Sequence, residues 1–315
     1  MLDIANIQAA TRLIDPVFLK SPLASAAALD AELGCMLLAK NETANPIGSF
    51  KGRGAELFAA TALRPGETIV CASAGNFGQG LAHAAARRGH ACTVFAATTA
   101  NPVKIDAMRR LGAEVRLEGI DFDAAKQAAR RYAAEHDLRF VEDGAEPAIA
   151  EGAGTMALEL LGVADFDAVV VPLGNGALLE GIGAVFRQRA PATEIIAVVA
   201  ENAPAMKLSL EAGEAIETST ASTIADGIAV RVPISSRLAE LRRCCDSVVS
   251  VSEAQIFDAM RLIHRHLHLV VEPAGAVGVA AILAHPHRFA GRRIATVLCG
   301  GNISQELREQ LHALD

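Results

Sequence analysis

Short apolar runs alternate along the chain with longer stretches in which alanine and leucine recur at helical spacing. Residues 68–72, 91–96 and 113–117 are predicted strands, and 76–88, 102–111 and 121–136 are the helices that follow them. The alternation resumes with a strand at 168–172, a helix at 176–189 and a strand at 194–199. It closes with a strand at 293–298 and a helix at 303–311. A strand, a helix and a second strand in the same direction need a crossover. The pattern therefore predicts an α/β fold of open, mostly parallel sheets with helices on both faces. Gly89 and Gly112 stand where helices end, and Pro102 where a first helical turn tolerates it. No repeat, low-complexity tract or linker interrupts the pattern.

Composition narrows the picture. The 315 residues suit about two domains. With 51% hydrophobic and 21% charged residues, the chain can bury a sizeable core and is not of a disordered type. Twenty-nine Lys and Arg against 36 Asp and Glu give a net charge of −7, with no basic stripe and 4% aromatic residues. Nucleic acid, which needs cationic patches and stacking platforms, is excluded as a partner on that ground. The Ala-rich stretches are broken by Arg, His or Gly, so no membrane span is expected. The opening Met1-Leu2-Asp3 is neither cationic nor apolar, which predicts no signal peptide and a cytoplasmic protein. Cys35, Cys71, Cys92, Cys244, Cys245 and Cys299 form no Cys-x-x-Cys pair and are not expected to be disulfide partners; most are expected to be small buried hydrophobes, Cys299 being the exception.

In open α/β sheets, ligands bind beyond the carboxyl ends of strands. Four loops at such positions hold unusual residues. Residues 45–55 place Lys51 among glycines just before a helix. That lysine is either a solvated loop residue or a partly desolvated amine able to act as a Schiff-base nucleophile. Ser73-Ala74-Gly75-Asn76-Phe77 opens a helix directly after a strand. It is either an ordinary capped turn or a cradle for a carboxylate. Gly174-Asn175-Gly176-Ala177-Leu178 exposes backbone N–H groups at a helix start, which suits a phosphate. It is not a nucleotide P-loop, since no Gly-Lys-Ser/Thr follows, nor a dinucleotide fingerprint, since Leu179 stands where the third glycine belongs. Cys299-Gly300-Gly301-Asn302 ends the last strand, and its thiol either packs or offers a weak uncharged partner to a ring nitrogen.

Taken in order, these loops resemble the fold type II pyridoxal-phosphate enzymes, and among them the serine/threonine dehydratase group. The resemblance covers nearly the whole length. It runs from Ser21-Pro22-Leu23 through Gly48-Ser49-Phe50-Lys51, Ser73-Ala74-Gly75-Asn76, Ala225-Asp226-Gly227-Ile228-Ala229-Val230 and Val271-Glu272-Pro273-Ala274-Gly275 to Cys299-Gly300-Gly301-Asn302. It implies a two-domain fold like the tryptophan synthase β subunit, with a smaller domain at 59–145 closing over a larger one made of 1–58 and 146–315. It also implies a homodimer. Pyridoxal phosphate would be held covalently by Lys51 beside Phe50, with Asn76 on the ring hydroxyl and Cys299 at the pyridine nitrogen. Gly174, Asn175, Gly176, Ala177 and Leu178 would hold the phosphate. Ser73, Ala74, Gly75, Asn76 and Phe77 would receive the carboxylate of an amino-acid substrate. The implied reaction is α,β-elimination of a β-hydroxy amino acid (L-serine, L-threonine, phenylserine or 3-hydroxyaspartate) to a 2-oxo acid and ammonia, with Lys51 as base. No side chain is assigned to protonate the departing hydroxyl; the family precedent is the cofactor phosphate or a water.

Departures from the family pattern refine the expectation. Ala74 stands where racemases carry a serine that moves a proton on the face opposite the lysine, so racemisation is disfavoured. A threonine-synthase-like replacing enzyme needs a second phosphate site, and no extra basic loop supplies one. A catalytically silent cofactor-binding protein would be free to lose Lys51. Ser-Ala-Gly-Asn with Cys299 is similar to liver-type serine dehydratases, whereas the motif around Asp226 is similar to bacterial threonine dehydratases. Phe77, where histidine is frequent, reshapes the pocket. Lys207 stands where relatives place a metal-binding acid near Glu201 and Ala205, so no divalent metal is expected. His264, His266 and His268 alternate on a helix spanning 252–266, where i and i+2 face apart, and are expected to be a solvated helix end. Asp121 and Asp123 are expected to be helix N-terminal acids. The chain ends soon after Asn302, so no C-terminal regulatory domain, and no feedback by a branched-chain amino acid, is expected.

Overall fold

Strands without polar alternation build the centre of the molecule. In β3 (Ile69–Ala72), β4 (Cys92–Ala96) and β7 (Ala168–Pro172) every residue is buried, as parallel strands covered on both faces require. The computed structural model describes residues 1–312. The other strands are β1 (Leu23–Ala24), β2 (Met36–Asn41), β5 (Glu114–Leu117), β6 (Arg139–Val141), β8 (Glu194–Ala200), β9 (Ser247–Val251) and β10 (Arg293–Leu298). They form a six-stranded sheet in the order β1-β2-β10-β7-β8-β9 and a four-stranded sheet in the order β5-β4-β3-β6. All pairings are parallel except β1 with β2.

This order positions the site. The last strand, β10, inserts between β2 and β7, with Leu298 beside Asn41 and Thr296 beside Val170. The loops leaving these three strands therefore emerge side by side, although they come from the start, the middle and the end of the chain. Beyond the carboxyl ends of the four-stranded sheet lie the loops after β3, β5 and β6, which face the same cleft.

The predicted elements agree to within a residue or two. The helices after the first three predicted strands are Asn76–Arg87, Pro102–Arg110 and Phe122–Glu135, and the strand predicted at 194–199 runs one residue further, to Ala200. Asn101 caps the helix that begins at Pro102. All six cysteines are free, and only Cys245 is not fully buried.

The helix Lys51–Thr61 packs against Asn76–Arg87 and Pro147–Leu161. It is held there by a buried ionic network. Arg53, fully buried, donates from Nε and Nη2 to Glu42 at 3.0 and 2.9 Å, and from Nη1 and Nη2 to Glu159 at 2.7 and 3.0 Å. Lys40 adds a 2.6 Å pair to Glu159. Burial alone would lower the Arg53 pKa, but Glu42 and Glu159 outweigh it and the guanidinium stays charged. Lys51 stands two residues from this anchor.

Candidate active site

Lys51 is the first residue of its helix, and its loop is stitched to the loop after β10. Phe50 N donates to Cys299 O at 3.0 Å, Ser49 Oγ to the same oxygen at 3.1 Å, and Gly301 N to Gly48 O at 2.9 Å. Two segments 250 residues apart thus set one geometry. The ammonium of Lys51 lies 4.7 Å from the Phe50 ring centroid and 5.9 Å from that of Phe77. It pairs with Asp143 Oδ2 at 2.5 Å. The side chain is 13% exposed, so the solvated-loop alternative does not hold.

On one wall, Ser73 follows β3 and its Oγ accepts from Gly75 N at 3.2 Å and Gly78 N at 2.9 Å. Those bonds occupy its lone pairs and leave its hydrogen to donate. The Gly75 amide is therefore turned inward, and Asn76 and Phe77 open the helix with amides that have no acceptor within it. Asn76 Nδ2 donates to both oxygens of Glu272, at 2.7 and 2.9 Å, while its Oδ1 accepts from Asn302 Nδ2 at 2.8 Å. Glu272 is buried at 2% exposure. Burial pushes its pKa up to about 7 and Asp226 adds to this, whereas Asn76, Lys104 and Lys51 pull the other way. Burial and then Glu272 also push the Cys299 thiol well above its ordinary value, so it is uncharged.

On the facing wall, the loop after β7 leads into the thirteen-residue helix Ala177–Arg189. Gly176 has φ +102°, a conformation that favours glycine. That turn aims the first amides of the helix, the positive end of its dipole, into the cavity. Between the walls lies a cavity of about 530 Å³.

A protein-family model described as "Pyridoxal-phosphate dependent enzyme" matches residues 14–300. The chain belongs to that family. It is 35% identical to an L-threonine ammonia-lyase of Thermotoga maritima over 314 residues, covering 99% of this chain and 78% of that one. It is 32% identical to a beta-hydroxyaspartate dehydratase of Paracoccus denitrificans, covering 95% of each. It spans about half the length, 56%, of the biosynthetic L-threonine dehydratase of Escherichia coli. Among solved structures, the processed form of threonine deaminase isoform 2 from Solanum lycopersicum superposes with a TM-score of 0.91 at 30% identity, covering 99% of this chain and 92% of that one.

Pyridoxal phosphate is the cofactor of this family, and the residues present fit it: an amine, an anion cradle at a helix start, and a neutral thiol. Phe50, Lys51, Ser73, Ala74, Gly75, Asn76, Phe77, Gly174, Asn175, Gly176, Ala177, Leu178 and Cys299 all line the one cavity. Sequence reasoning missed Asp143 as the partner of Lys51 and Glu272 as the partner of Asn76. It also missed two bridges across the cleft, Lys104 with Asp226 and Arg231 with Asp123, the latter at 2.5 Å. Asp121 does cap its helix, accepting from Ala124 N, while Asp123 has this further partner. His266 pairs with Glu32 at 2.8 Å, and His268 terminates the helix Glu253–Leu267 at φ +54°. No group of three metal-ligating side chains occurs among the described residues, and no helix there is long and apolar enough to cross a membrane.

Proposed function

We propose that this chain is a dehydratase that converts a β-hydroxy amino acid to a 2-oxo acid and ammonia. The observation that carries the reading is Lys51, nearly buried between the carboxylate-type cradle at 73–77 and the phosphate-type cradle at 174–178. The names of the relatives supply the substrate class.

Lys51 would hold the cofactor's aldehyde, the amides of Gly176, Ala177 and Leu178 its phosphate, and the Asn76 amide its ring hydroxyl. Cys299 would face the pyridine nitrogen as an uncharged neighbour. When bound, pyridoxal phosphate supplies an electron sink for the pair released at the substrate Cα. The Ser73 hydroxyl and the amides of Asn76 and Phe77 hold the substrate carboxylate, which fixes the Cα–H bond toward Lys51. The released ε-amine takes that proton as general base. Ala74 offers no proton on the other face, so racemisation is not part of this reading. The reading includes a cytoplasmic homodimer, with residues 59–145 as a smaller lobe over the cleft.

The test is spectroscopic and chemical. The purified holoprotein is expected to show a visible cofactor band, to lose it in Lys51→Ala, and to release 2-oxo acid and ammonia from a panel of hydroxy amino acids. A protein that stays colourless with added cofactor overturns the reading.

A further inference from the structure

The departing hydroxide is a poor leaving group, and its proton must come from somewhere. The geometry points to Asp143: we propose that this carboxylate receives the proton that Lys51 takes from Cα and delivers it to the leaving oxygen. The assignment rests on the dehydratase reading above.

Asp143 follows β6 and enters the cavity from the smaller sheet. Its neighbour Gly144 is pressed against the phosphate-type loop; a Cβ there would stand 2.5 Å from Asn175 O. That close approach holds the Asp143 backbone against the cavity wall. Oδ2 lies 2.5 Å from Lys51 Nζ, within reach for direct proton transfer. Oδ1 is buried and accepts no hydrogen bond among the described residues. A buried carboxylate oxygen without a partner is costly, and such exceptions concentrate where the group acts on a ligand. The other acids on the cavity are engaged. Asp226 is held by Lys104, Asp123 by Arg231, Glu272 by Asn76, and Asp121 by the helix it caps.

The step balances. Neutral Lys51 removes the Cα proton, and the Cα–H electron pair becomes the Cα–Cβ π bond. The new ammonium passes its proton across the short contact to Asp143 Oδ2. Asp143, now a carboxylic acid, gives it to the β-oxygen as the Cβ–O bond breaks, and that bond's electron pair leaves with the oxygen as water. Lys51 ends neutral and Asp143 ionised, as they began, and no further reactant is needed.

The experiment compares the Asp143→Asn holoprotein on L-serine or L-threonine and on β-chloroalanine, whose chloride leaves without a proton. Turnover of the hydroxy substrate is expected to fall by about 100-fold or more, the worth of a positioned general acid, while chloride elimination survives. The visible cofactor band is expected to remain, because Lys51 still holds the cofactor when its neighbour is Asn. Equal losses on both substrates, or undiminished elimination from the hydroxy substrate, overturn the proposal. If Asp143→Asn fails to fold, Asp143→Ser is measured in the same way. A wild-type protein that binds cofactor yet eliminates from neither substrate overturns the dehydratase reading itself, and this assignment with it.

Discussion

Two residues at the site sit in environments that a chemist would not choose without a reason. Asp143 keeps an oxygen without a partner, and Glu272 is a fully buried carboxyl whose pKa is pushed up to about 7. A carboxyl that titrates near 4.5 in the unfolded chain and near 7 when folded binds more protons in the native state between those values, so stability falls as pH rises through that window. Ionised Glu272 costs on the order of 3 kcal/mol relative to its protonated form. Glu272→Gln is therefore expected to lose this slope. Chemical denaturation of the cofactor-free protein from pH 5 to 8 reads it, and parallel curves for the two proteins would refute it. Lys51, Ser73 and Cys299 were legible in the sequence because glycine-flanked polar residues at strand ends have few structural uses. Asp143 was not, because nothing in Glu142-Asp143-Gly144 reveals that a lysine 92 residues away faces it.

At the scale of elements, the strand-to-helix turn after β7 matters most. Gly176 combines φ +102° with a close approach, since a Cβ there would meet the Leu241 methyl carbons at 2.6 Å. An alanine forces the turn open and misdirects the first amides of the helix. Gly176→Ala is expected to weaken cofactor binding by about tenfold or more, from 1–3 kcal/mol of backbone strain. An absorbance titration measures it, with circular dichroism to check that the helices persist. Unchanged affinity would mean that this loop does not hold the phosphate. The long periodic helices and the apolar strands were legible because burial on both faces leaves a continuous hydrophobic run. The short or marginal strands were not: β1 has two residues, β6 three, and β9 lies half-buried at a sheet edge.

For the whole molecule, the Arg53 network has the widest reach. It joins the segment before β1 through Ser21, the end of β2 through Glu42, and two helices through Arg53 itself, Thr155 and Glu159. Replacing Arg53 leaves the buried Glu42 and the half-buried Glu159 without their main partner. Arg53→Met is expected to cost about 3–5 kcal/mol in denaturation, the usual consequence of breaking a buried ion pair. A loss below about 1 kcal/mol, the scale of an exposed pair, would show that the network is not a structural anchor. By itself the sequence determined the α/β class, the order of the main elements and the loop residues whose chemistry is local, because hydrophobic period and turn geometry act over a few neighbours. The tertiary structure alone decided that β10 lies between β2 and β7, that Asp143 faces Lys51, and that Glu272 orients Asn76. Those pairings depend on strand order and on burial across hundreds of residues, where low polarity makes distant charges answer to one another.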